Sequence, residues 1–111
     1  MKIDIGILGM GYVGLPLAIA MAEKYNVIGF DIDKKRISSL KIGIDKKKDV
    51  TSKQIKKTDL TYSNKPESLK NCNIYIVTVP TPIKNNKLPD FTFLKNASKI
   101  ISKYLKIGDI V

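Results

Sequence analysis

Three glycines crowd into six positions, Gly9, Gly11 and Gly14, inside the stretch "ILGMGYVGLPLA" of residues 7 to 18. A short β-branched run, Ile-Asp-Ile-Gly-Ile-Leu at residues 3 to 8, leads into this corner and reads as a buried strand. A longer apolar run leaves it, with Val13, Leu17, Ala20 and Met21 at helical spacing within residues 12 to 25. Pro16 falls in the first turn of that helix, where a missing amide proton costs little. A strand passing straight into a helix through such a corner is the opening of a β-α-β unit, and it commits the chain to a parallel sheet.

The remaining residues continue the alternation. Residues 26 to 31, Asn-Val-Ile-Gly-Phe-Asp, give a second strand ending on a carboxylate. Residues 33 to 41 form a short helix, with Ile37 and Leu40 three apart and Gly43 as its stop signal. The stretch "GIDKKKDVTSKQIKKT", residues 43 to 58, holds the lysine run 46 to 48 and reads as a loop with a short helix around residues 51 to 57. Leu60, Thr61 and Tyr62 make a short third strand, and residues 66 to 71 a helical turn. "NIYIVTVP", residues 73 to 80, is the strongest strand signal. Residues 91 to 105 return to helix, with Leu94, Ala97, Ile101 and Leu105 on one face, and residues 108 to 111 begin another strand. The expected architecture is α/β, a doubly wound parallel sheet whose right-handed crossovers set the strand order 3-2-1-4-5. Its fifth strand stops at Val111, so residues 1 to 111 are expected to be a fragment of a larger protein.

A glycine pattern by itself is weak, but here a strand precedes it, a helix follows, and Asp31 lies about twenty positions on at the next strand's end. In that setting Gly9 permits the tight turn, Gly11 leaves room for a pyrophosphate, and Gly14 lets the helix lie close to the sheet. The helix N-terminus then offers free amides, two of them from Tyr12 and Val13, to the phosphates. Asp31 is placed to accept from an adenosine ribose diol and to repel a 2'-phosphate, which favours NAD over NADP. Lys34, Lys35 and Arg36 follow directly and are residue types that receive a 2'-phosphate; Asp31 could also cap the following helix. "VTVPTPI", residues 77 to 83, sits where the fourth strand ends, beside the switch point at which such sheets bind ligands. Pro80 and Pro82 stiffen it, while Thr78 and Thr81 present hydroxyls.

Composition narrows the chemistry. The chain has no histidine and one cysteine, Cys72, so it lacks the usual neutral-pH proton shuttle, an internal disulfide and a cysteine metal cluster. No metal site is expected. Cys72 precedes the fourth strand, at the end of the sheet opposite the glycines, and reads as a small junction residue rather than a nucleophile. The formal charge of +10 raises a basic nucleic-acid-binding module as an alternative. Against it, Arg36 is the only arginine, the lysines are scattered, and no aromatic-rich strand offers a stacking platform. No run approaches the roughly 18 to 20 apolar residues of a membrane span, and the N-terminus lacks the regions of a secretory signal. A cytoplasmic location is expected.

Taken together, "GMGYVGLPLA", "FDIDKKRI" and "VTVPTPIKNNKLPDFTFLKNASKIISKYLKIGDIV" resemble the N-terminal, Rossmann-type domain of the UDP-sugar 6-dehydrogenases over essentially the whole chain. The pattern looks most like the UDP-N-acetyl-hexosamine branch serving surface-polysaccharide synthesis. The glucose branch typically has Glu-Pro-Gly where this chain has Gly43-Ile44-Asp45-Lys46. The resemblance implies oxidation of a C6 alcohol to a carboxylate with two NAD, in a homo-oligomeric enzyme. It implies cofactor contacts at Gly9, Met10, Gly11, Tyr12, Val13, Gly14, Asp31, Arg36, Val77, Thr78, Val79, Pro80 and Thr81. The family's catalytic cysteine belongs to a later domain, so no catalytic residue is expected within these residues and the chain alone is expected to be inactive. Another NAD-dependent dehydrogenase sharing this half-domain, of UDP-glucose, UDP-N-acetylmannosamine or hydroxyacid type, is the enzymatic alternative.

Overall fold

A computed structural model of the chain describes residues 2–46, 50–56 and 59–111. Four strands, β1 (Asp4–Leu8), β2 (Asn26–Phe30), β3 (Leu60–Ser63) and β4 (Ile74–Val77), form one sheet in the order β3-β2-β1-β4. Every pairing is parallel, with Ile5 opposite Val27 on one side and Ile74 on the other. The first strand is therefore central, as the expected order requires. Tyr75 N–H donates to the Ile110 carbonyl at 2.8 Å, so residue 110 lies along the outer side of β4, where a fifth strand was expected.

Helices α1 (Gly14–Met21), α2 (Lys34–Lys41) and α3 (Ser52–Ile55) cover one face of the sheet. Their Leu15, Ala18, Ile19, Ile37, Leu40 and Ile55 bury against Ile5, Ile7, Val27, Leu60 and Tyr62. A 3₁₀ turn at Pro66–Leu69 and helix α4 (Thr92–Ser102) cover the other, where Leu69, Cys72, Tyr75, Ala97 and Ile101 pack with Leu8 and Phe30. Alternate residues of β1, β2 and β4 thus serve opposite cores, which is why those strands read as nearly continuous apolar runs, whereas β3 buries only Leu60 and Tyr62 on one face.

Two helix faces differ from the sequence reading. In α1 the buried residues are Gly14, Leu15, Ala18 and Ile19, whereas Val13 and Ala20 are exposed. The segment is apolar all round, so periodicity does not choose its face. The small residues Gly14 and Ala18, one turn apart, face the sheet and permit close approach. In α4 only Ala97 and Ile101 of the expected face are buried, helped by Ile100 and Tyr104; Leu94 and Leu105 are exposed.

Boundaries shift inward for local reasons. The strand expected at residues 73 to 80 ends at Val77, ahead of Pro80, which lacks the N–H to extend a ladder. Helix α2 stops in a Schellman arrangement: Gly43, at φ +83, donates to Leu40 and Ile44 donates to Ser39. Thr51 and Gln54 form a reciprocal capping box on α3. The helix expected around residues 51 to 57 covers Ser52–Ile55, residues 57 and 58 lying outside the described residues, as do Lys47 and Lys48 of the lysine run.

Candidate functional site

The C-terminal ends of β1, β2 and β4 open together into a cleft of about 770 Å³. It lies where the chain's crossovers reverse direction, with β2 on one side of β1 and β4 on the other. Gly9, Gly11, Tyr12 and Val13 form its floor and one wall.

That corner is tied on every side. Gly9 takes φ +108, a conformation open to glycine, and its N–H continues the ladder to the Phe30 carbonyl at 2.8 Å. A Cβ at Gly14 would overlap the Gly9 carbonyl oxygen and press on Thr78 Oγ1, so the helix can begin this close only with glycine there. Thr78 Oγ1 donates to the Gly9 carbonyl at 2.8 Å, fastening β4 to the corner. Gly11 differs: a Cβ there would meet nothing within 4 Å. Its missing side chain leaves open space on the cleft rather than relieving a clash. The N–H groups of Gly11, Tyr12 and Val13 have no acceptor among the described residues. Free amides, an aligned helix start and room for a group of several atoms together fit an anionic diphosphate.

Asp31, at the end of β2, lines the cleft and accepts two backbone bonds, from Met10 N–H to Oδ2 at 2.8 Å and from Asp33 N–H to Oδ1 at 2.9 Å. Each oxygen retains a lone pair for a further donor. The cap of α2 is Asp33, whose side chain accepts from Lys35 and Arg36, so the capping role considered for Asp31 falls two residues later.

The opposite wall comes from "VPTP" and α4. Thr78, Val79, Pro80, Thr81 and Pro82 line it from the strand exit, and Phe93, Asn96, Ala97 and Ile100 from the helix. The sequence reading did not include these helix residues, nor Leu8, Phe30, Ile32 and Asp33. Phe93 and Asn96 belong to a helix far along the chain, and only the packing of α4 brings them here. A signal was present, since Phe93, Asn96 and Ile100 repeat at helical spacing beside Ala97, which is on the face chosen.

Four residues carried over from the resemblance do not line the cleft: Met10, Gly14, Arg36 and Val77. Met10 is fully buried with its thioether beside Gly29. Val77 packs in the second core. Arg36 sits beneath the corner, its Nε donating to the Met10 carbonyl at 2.7 Å.

Cys72 is buried at the other end of the sheet. Burial, reinforced by Asp4 and Asp109 against an opposing pull from Lys106, pushes its thiol up to about 11. It is a protonated core residue at neutral pH, with no part in the cleft. Among the described residues, no helix is long and apolar enough to cross a membrane.

The sequence profile of the UDP-glucose/GDP-mannose dehydrogenase family, NAD binding domain, matches residues 3–111. The UDP-N-acetyl-D-glucosamine 6-dehydrogenase of Pseudomonas aeruginosa is 46% identical over 110 residues, 98% of this chain and 26% of that protein. The UDP-N-acetyl-D-mannosamine dehydrogenase of Yersinia pestis is 33% identical over 116 residues, 96% of this chain and 26% of the relative. Among solved structures, the UDP-D-ManNAc dehydrogenase of Pyrococcus horikoshii superposes with a TM-score of 0.88 at 28% identity, over 97% of this chain and 27% of that one. The chain thus spans about a quarter of the length of these relatives.

Proposed function

This chain belongs to the UDP-glucose/GDP-mannose dehydrogenase family as its NAD-binding domain, and from that premise we propose that it holds the oxidant for a UDP-N-acetyl-hexosamine 6-dehydrogenase. The observation that carries the substrate assignment is identity to two UDP-N-acetyl-hexosamine enzymes, and the 46% to the N-acetyl-D-glucosamine one, against 33% to the N-acetyl-D-mannosamine one, favours N-acetylglucosamine between them. The whole enzyme would oxidise the sugar's C6 alcohol to a carboxylate, and bound NAD supplies the hydride acceptor.

The chain's own residues would bind, orient and discriminate. The amides of Gly11, Tyr12 and Val13 would take the pyrophosphate, with Gly11 giving it room. Asp31 would accept from the adenosine ribose and its charge would turn away a 2'-phosphate. Ile32 and Phe93, both lining the cleft, would offer apolar surface to a flat ring. Val79, Pro80 and Thr81 would border the nicotinamide half with few mobile bonds. Met10, Gly14, Arg36 and Val77 would act from behind these groups. The reading places the protein in the cytoplasm as a homo-oligomer, with the thiolate that captures the sugar aldehyde in a later domain and no role for nucleic acid or a membrane.

Calorimetric titration tests the cofactor half: NAD should bind and NADP should bind more weakly. Tighter NADP binding would overturn the role given to Asp31. Turnover by the complete gene product tests the substrate half. UDP-N-acetylglucosamine should be oxidised with two NADH formed per sugar, and a preference for UDP-glucose would defeat the hexosamine assignment.

A further inference from the structure

The corner that faces the cleft is held by a chain of contacts reaching into a loop that has so far had no role. Met10, between the two cleft-facing glycines, has both its backbone N–H and its carbonyl engaged, and that carbonyl shares a peptide plane with the Gly11 N–H. Asp31 Oδ2 accepts from its N–H at 2.8 Å, and Arg36 Nε donates to its carbonyl at 2.7 Å. The same guanidinium donates through Nη1 to Asp45 Oδ1 at 2.6 Å. This pair is almost dry, with the Arg36 side chain 10% exposed and that of Asp45 0%. Asp45 is itself fixed, because its Oδ2 accepts from Val50 N–H at 3.1 Å.

The guanidinium geometry is what matters here. Arginine's donors are set in one rigid plane, so fixing Nη1 on Asp45 fixes the direction of Nε. The third nitrogen, Nη2, is buried with no hydrogen-bond partner, so among the described residues the plane is oriented by Met10 and Asp45. A buried ion pair adds little net stability compared with an apolar pair, and its best-attested use is to fix one arrangement over others. Here the arrangement fixed is a peptide of the glycine corner.

We propose that Asp45 is a positioning residue for the dinucleotide site: through Arg36 it orients the Met10 peptide, and so the amides of Gly11, Tyr12 and Val13 that follow. This rests on the reading of the cleft as an NAD site. It also gives Arg36 a role from beneath the corner, beside the cofactor contact implied by the family resemblance.

Amide hydrogen exchange by NMR on the full chain, with NAD titration alongside, tests this. Asp45→Asn keeps the shape and an acceptor but removes the charge. It should speed exchange at Met10 about tenfold, leave Ile7 and Ile28 in the sheet unchanged, and weaken NAD about tenfold. Arg36→Lys keeps a charge but loses the planar fork, and should give the same local pattern; it carries the test if Asp45→Asn does not fold. Unchanged exchange at Met10, or equal acceleration throughout the sheet, would overturn the proposal, as would failure of both variants to fold. A wild-type chain that does not bind NAD would defeat the cofactor reading instead, while the exchange pattern would still decide whether Asp45 orients the corner.

Discussion

The two ends of the sheet are built from similar strands and do opposite things. At the N-terminal end sits the chain's one thiol, Cys72, enclosed with Leu69 and Tyr75, whose hydroxyl donates to the Cys72 carbonyl at 3.1 Å. At the C-terminal end stand glycines, unpartnered amides and a carboxylate, none reactive alone, around an open cleft. The difference teaches that a site here is marked by what packing leaves unsatisfied, and an intrinsically reactive atom marks nothing once packing has closed around it. In a parallel sheet every strand delivers its C-terminal end to the same edge, so one end gathers the loops that can hold a ligand.

The sharpest way to break this contrast is to fill the glycine corner. Gly14→Val should cost about 3 kcal/mol or more in denaturant melts and abolish NAD binding, because the added Cβ meets backbone. A stable, NAD-binding variant would mean the corner is not as closely fitted as described. Gly11→Val should weaken NAD by about a hundredfold while the melting temperature holds, since that Cβ enters open space. Equal loss of stability and binding would contradict a site made of empty room. Asp31→Asn should weaken NAD about tenfold and narrow its advantage over NADP, read in competition titrations.

At the closed end the expected effects concern pH. The Cys72 thiol moves from 9.0 to about 11 on folding, so between those values the unfolded chain has released a proton that the folded chain keeps. This contribution to stability is complete below pH 9, and it is lost as pH rises toward 11. Urea melts from pH 8 to 11 should fall less steeply for Cys72→Ala than for wild type. Rapid alkylation of the native protein at pH 8, at the rate of a free thiol, would contradict the burial. The smallest effect is expected at the cleft's apolar wall: Phe93→Ala should weaken NAD about threefold and leave the melt unchanged.

The sequence made the open end legible unevenly. Gly9, Gly11, Gly14 and Asp31 were readable because each answers a local demand of a strand-turn-helix corner, and the spacing between them is short. The strand order followed from alternation and crossover handedness, and β3-β2-β1-β4 bears it out. Phe93, Asn96 and Ile100 were not read because their place depends on which side of α4 meets the sheet. That helix fully buries only Ala97 and Ile101, and its apolar pattern does not say which flank beside them borders the cleft. The faces of α1 were obscure for the opposite reason, an excess of apolar residues. Arg36 was noticed for its charge, yet its burial and its partner Asp45 depend on how the loop after α2 folds back, which no local pattern encodes.

The bond from Thr78 to the Gly9 carbonyl spans 69 positions of chain, and that separation has a consequence in time. The corner is synthesised 69 positions before Thr78, so its far side arrives only with β4. Until that long loop closes, against the entropy of everything between, the amides of the corner have no opposing wall. The most local signal in the sequence therefore belongs to one of the least local contacts in the fold, and the cleft is complete only when β4 has docked against the corner.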